Sequence, residues 1–181
     1  MNKHITWIGE EHLSIEKCHI IEKEQSFHSR GEVVGNKNNQ VYGLEYQIVL
    51  DEHWHTRFFS IESKQGHKHY SVNAHKINNL WVIDGVEYPE FNDCLDIYVD
   101  RTAFSNALPI NRLKLEIGES KEVSVLYISP FEERIALMVQ RYERLSEDTY
   151  YYENLWNDLK VTITIDEDGI VTDYSGIYKA I

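Results

Sequence analysis

The chain has 181 residues, 42% of them hydrophobic and 12% aromatic, which suits one folded domain with a sizeable core and not a disordered chain. With 18 basic against 30 acidic residues the net charge is −12, a balance that repels nucleic-acid backbones and anionic lipid headgroups. No stretch is apolar enough for a transmembrane segment, no basic-then-apolar leader is read at the start, and the two cysteines, Cys18 and Cys94, form no CxxC. The compartment expected from these features is the cytoplasm, with both thiols free and no cofactor.

In chain order, strand patterns dominate. Residues 30–34 form a first candidate. Leu44, Tyr46, Ile48 and Leu50 then alternate with Glu45, Gln47 and Val49, the period-2 signature of a half-buried strand. Further strands are expected at 56–63, 67–75, 80–83, 95–99 and 112–117. Val123, Val125 and Tyr127 interleave with Ser124, Leu126 and Ile128, which predicts a strand covered on both faces. Strands at 136–143, 149–153 and 170–174 follow, with Val161, Ile163 and Ile165 alternating against Thr162 and Thr164. Turn signals at 36–39, 65–66, 84–85, 118–119 and 166–169 punctuate the series. Helix is confined to one turn near 132–137 and an ambiguous stretch at 153–159. The segment 100–109 interrupts the strands, and Pro109 should push Leu108 towards extended backbone. Many short strands in series predict an all-β fold, a large β-roll or barrel-like antiparallel sheet with little helix, as one domain over 1–181.

Chemical signatures are sparse. His67 and His69 alternate on one strand, and His53 and His55 flank Trp54, yet no complementary carboxylate or thiolate completes a metal set, so no metal is expected. There is no GxSxG, no Gly-rich phosphate loop and no HExxH. Glu10, Glu45 and Asp96 could approach one another in a folded barrel, but solvated or structural roles suit them better. The richest stretch is 93–113, where a strand bearing Asp96 leads through a Pro-containing loop to Arg112. One connection can bring that carboxylate and guanidinium together, either as a corner staple or with the Arg fork aimed at a ligand.

The same stretch resembles a bacterial family called putative glycolipid-binding, formerly a domain of unknown function. The resemblance rests on Cys94, Leu95, Asp96, Thr102, Asn106, Leu108, Pro109, Ile110, Arg112 and Leu113. Flanking matches are Trp7, Glu10, Tyr46, Trp54, Arg57, Trp81, Gln140, Tyr142, Asp166, Gly169, Val171 and Tyr174, so it spans nearly the whole chain. Departures are Ala103 for a usual Pro, Ala107 for Thr, and Asn111 for the first of two arginines, which leaves Arg112 alone. The resemblance implies a β-roll similar to lipoprotein carriers that hold acyl chains in an apolar cavity.

The preferred reading is a binding protein for a glycolipid or other amphiphilic small molecule held in an apolar β-roll cavity, not an enzyme. Arg57, Asp96 and Arg112 are the candidate polar determinants, and Trp54, Tyr46 and Tyr142 the candidate aromatic wall. One alternative is an enzyme on a small or lipid-like substrate using Asp96 or Glu10 beside Arg112. Another is a structural or partner-binding protein with a filled core. The oligomeric state is not legible.

Overall fold

The structure, a computed structural model, describes residues 1–11 and 13–181. Its strands are β1 (Asn2–Gly9), β2 (Ser14–Lys23), β3 (Ser26–Lys37), β4 (Gln40–Asp51), β5 (Thr56–Gln65), β6 (Lys68–Ile77), β7 (Leu80–Ile83), β8 (Val86–Tyr88) and β9 (Asp96–Val99). After one short helix, α1 (Ala107–Leu113), come β10 (Ser120–Ser129), β11 (Arg134–Arg144), β12 (Thr149–Asn154), β13 (Leu159–Ile165), β14 (Val171–Tyr174) and β15 (Tyr178–Ala180). All fifteen join one sheet in the order β8-β7-β6-β5-β4-β3-β2-β1-β15-β14-β13-β12-β11-β10-β9. The fold is all-β, a rolled, largely antiparallel sheet whose two edges do not pair.

The alternation read from 44–50 is present: Leu44, Tyr46, Ile48 and Leu50 face inward and are buried, while the intervening residues face out. Two inward aromatic rings need room, and β3 supplies it by facing them with glycine. Gly31 pairs with Tyr46 and Gly35 with Tyr42, and a Cβ on either glycine would lie under 3 Å from its ring. A glycine opposite a large ring lets two strands pack at normal spacing without a clash.

Among the described residues the one parallel pair, β9 with β10, determines what fills the roll. Parallel neighbours cannot be joined by a tight hairpin; the chain must return to the starting end before the second strand begins. Here that crossover passes through the interior. Every residue from Arg101 to Ile110 is buried, first as a 3-10 turn over Phe104–Asn106 and then as α1. Pro109 sits in the helix's first turn, where its missing N–H costs nothing. Lys114 ends the helix in a left-handed conformation, φ 49°, with its N–H on the Ile110 carbonyl.

Three expectations are corrected here. Residues 112–117, read as a strand, are the end of α1 and a loop, because the apolar Leu113 and Leu115 pack with this buried crossover, the plug of the roll, and not on a sheet face. Leu108 is helical despite the following proline, since the preceding 3-10 turn already commits the backbone. Of the helical turn foreseen near 132–137, residues 132–133 lie in the hairpin connection between β10 and β11 and residues 134–137 are already β11.

The open edge of β9 is stapled to the first half of the sheet by single bonds. The Thr56 amide donates to Leu95 O at 2.9 Å. The Lys76 ammonium donates to Asn92 O and Cys94 O at 2.8 and 2.7 Å, and Trp81 Nε1 donates to Cys94 O at 3.1 Å. No helix among the described residues is long and apolar enough to cross a membrane.

Candidate functional site

Antiparallel order places the strand ends at two mouths. At one lie Asp51, Arg57, Asp96, Arg112 and the β13–β14 turn; at the other lie the ends of β1, β3, β9, β10, β12 and β14. The plug runs between them, from Arg101 at the second mouth to Arg112 at the first.

At the first mouth the polar side chains bond to the chain itself. Arg112 grips the buried Asp96 with Nε at 3.0 Å from both carboxylate oxygens and Nη2 at 2.6 Å from Oδ2. Burial lifts the Asp96 carboxyl above its usual range even against the pull of Arg112. Asn111, standing where the resembled family has arginine, donates Nδ2 to Ala107 O and Gly169 O at 3.1 Å each. It ties the plug to the β13–β14 turn, where Gly169 (φ 71°) leaves no room for a Cβ against it.

Sequence reasoning nominated six site residues, and the structure does not bring them to one cavity. Arg57 is half-exposed on the rim, with Nε and Nη2 on Asp51 at 3.0 and 2.7 Å. Trp54 is buried in the β4–β5 turn against Phe27, ring centres 4.7 Å apart. Tyr46 and Tyr142 are buried on the inner wall, and their hydroxyls are used there. Tyr46 donates to Glu16 Oε1 at 2.6 Å, and Tyr142 contacts Asn106 Oδ1 and Gln140 Oε1 at 2.9 and 3.1 Å. Asp96 and Arg112 are brought together, as one pair. Glu10 lies in the β1–β2 turn at the far mouth and Glu45 faces outward, so neither joins Asp96 in an acid/base set. The interior expected to be an apolar cavity is occupied by Phe104, Ala107, Leu108 and Ile110, with Phe104 stacked on Tyr46 at 6.1 Å.

The second mouth is different. A cleft of about 390 Å³ opens there, lined by Tyr98, Tyr127, Trp156, Tyr174 and Tyr178, by Lys37, Arg101 and Arg134, and by Glu11, Asp100, Glu132, Asn154 and Asn157. Met138, Leu159 and Ile177 complete its lining. Tyr98 and Tyr127 are direct neighbours in the β9–β10 register and stack at 6.2 Å; Trp156 meets Tyr127 edge-on at 5.5 Å. The Arg134 guanidinium lies 4.9 Å over the Trp156 ring. Asn154 accepts the Trp156 amide at 3.0 Å and so holds the β12–β13 turn that projects the indole. Burial pushes the Tyr98 and Tyr127 phenols above their ordinary value.

A model of the family described as "Putative glycolipid-binding" matches residues 4–180. The chain belongs to this family. A crystal structure of a DUF1089 family protein from Pseudomonas aeruginosa is 28% identical, covers 92% of each chain and superposes with a TM-score of 0.79. No curated protein matches.

In this chain the residues that resemble the family's hallmark, Cys94 to Leu113, are largely the crossover that fills the roll. Sequence reasoning missed the cleft because its parts come from many strand ends, each an ordinary Tyr, Trp or Arg in the chain. Glu16 was also missed. It lies on the inward face of β2, fully buried, accepting from Tyr46, from Thr102 Oγ1 and from the Ala103 amide (2.8 Å). Burial raises its carboxyl to about 7.

Proposed function

We propose that the protein is a non-catalytic binding protein that holds the sugar headgroup of a glycolipid in the cleft at the second mouth. The observation that carries this reading is the contiguous Tyr98–Tyr127–Trp156 run beside charged and amide side chains. A pyranose has flat C–H faces that pack on aromatic rings and a rim of hydroxyls that bond to planar polar groups. Aromatic residues with polar handles, rigid and partly solvated, suit that amphipathic shape. The family description supports the same class of ligand. In this reading the acyl part stays outside the roll, whose interior is filled, and Arg57, Asp96, Arg112, Trp54, Tyr46 and Tyr142 support the scaffold.

The test is a titration of intrinsic tryptophan fluorescence with octyl glucoside below its micellar concentration. Trp156 is 43% exposed, so Trp156→Ala should fold normally, and its binding, followed by calorimetry, should weaken roughly 5-fold or more, as losing one aromatic contact of about 1–3 kcal/mol requires. Equal affinity in the wild type, Trp156→Ala and Tyr127→Ala would place the ligand elsewhere.

A further inference from the structure

Arg101 stands where β9 ends and the chain dives into the interior, in a left-handed conformation (φ 67°) uncommon for a non-glycine residue. Its side chain lines the cleft and is only 5% exposed. The guanidinium carbon sits 4.7 Å from the Tyr42 ring centre and 4.2 Å from that of Phe131. Such stacking holds the cation and fixes its plane, but rings accept little along the guanidinium edge. Its N–H groups are left over: Nε and Nη1 are buried without a hydrogen-bond partner, and the Asp100 carboxylate pairs with Nε by charge alone, at 3.6 Å.

The other buried-end arginines behave differently. Arg144 spends all three nitrogens on the carbonyls of Leu115, Ser146 and Glu147, and Arg112 is forked onto Asp96. Those are arginines that hold chain to chain. Arg101 has only the ion pair with Asp100 and its two ring contacts, although burying idle donors on a charge is unfavourable.

From this contrast we propose that the cleft's ligand carries an oxyanion, a phosphate or carboxylate, received by Arg101. The proposal builds on the reading of the cleft as a sugar site and narrows the ligand to an acidic or phosphorylated glycan. A guanidinium packed against two rings is already ordered, so a charge-assisted pair forms with little further loss of freedom. The surroundings permit it. Together with Arg101 itself, Lys37 and Arg134 balance the acidic lining of Glu11, Asp100 and Glu132, so the cleft is formally neutral on a protein of charge −12.

The experiment compares methyl glucoside, glucose 1-phosphate and inorganic phosphate by calorimetry on the wild type, Arg101→Gln and Arg101→Lys. Glucose 1-phosphate should bind roughly 10- to 100-fold more tightly than methyl glucoside, the range a charge-assisted bond supplies. Arg101→Gln should erase that preference; Arg101→Lys, a cation without a fork, should keep only part of it. Equal binding of the two sugars by the wild type overturns the oxyanion and leaves the sugar site standing. Arg101-dependent binding of phosphate with no binding of either sugar does the reverse. Binding of none of the three overturns both. Vesicles of phosphatidylcholine with and without phosphatidylinositol separate the two sources: selective binding to the phosphatidylinositol vesicles assigns a lipid headgroup, and glucose 1-phosphate binding without it assigns a free sugar phosphate.

Discussion

Glu16 reverses the usual logic of a strand. On β2 the inward positions are Ser14, Glu16, Cys18 and Ile20, while Ile15 points to solvent, half exposed. The carboxylate has two hydroxyls and one amide for partners and no cation bonded to it. Desolvation therefore wins, and its pKa rises from an ordinary 4.5 to about 7. The folded state then binds more protons than the unfolded state between those two values, so stability falls as pH rises through that interval and the loss is complete above about 7. At about 1.4 kcal/mol per pH unit, the cost is of order 3 kcal/mol. Glu16→Gln keeps one acceptor for the Ala103 amide and offers an NH2 that the Tyr46 and Thr102 hydroxyls can accept. Urea melts at pH 5 and pH 8 should show a wild type markedly less stable at pH 8 and a Glu16→Gln variant with that difference largely removed. An unchanged pH dependence in the variant would mean that Glu16 is not the titrating group.

At the scale of elements, the plug decides both the fold and what was legible. Strands with one buried face, β4 and β13 among them, announce themselves because solvent and core alternate along the chain. The strand β10 reads as covered on both faces, and it is: Val125, Leu126 and Ile128 are all buried. Residues 112–117 mislead because apolar spacing over so short a run does not separate strand from helix end. The early strand β2 escapes notice because Glu16 occupies an inward position. The pairing of Asp96 with Arg112 follows from one short connection, but its outcome as a staple depends on burial that no local pattern reports. Truncating either partner strands the other's charge and should cost roughly 3–5 kcal/mol. The double variant Asp96→Ala/Arg112→Ala should lose less than the sum of the two single losses, since neither charge is then left unpaired. Chemical denaturation of the three variants measures this directly. Strict additivity would mean that the two side chains do not stabilise the plug as a pair.

For the whole molecule, the sheet has fifteen strands yet no closing ladder, so its integrity depends on the seam where β9 meets the first half. Lys76 is the centre of that seam. It projects inward from β6, buried among apolar neighbours, and desolvation pulls its pKa below the ordinary lysine value. Two carbonyls, of Asn92 and Cys94, receive its ammonium, and the Trp81 ring lies 5.5 Å below it. Lys76→Met preserves the length and apolar stem of the side chain but leaves both carbonyls without that donor. Each lost charge-assisted bond is worth about 1.5–3 kcal/mol, offset by no longer burying a cation, so the net global loss should be modest. The local effect should be larger. With the seam loosened, β9 and the residues before it open without unfolding β2, β3 and β4, whose ladders are independent of the seam. Hydrogen exchange should therefore speed up at the Thr56 amide, which is bonded across the seam to Leu95 O, and at the Cys94 amide. Amides in the β3–β4 ladder, such as that of Tyr46, should keep wild-type protection. Uniform acceleration across both regions would show that the seam and the first half of the sheet open as a single cooperative unit, and that Lys76 does not act as a local clasp.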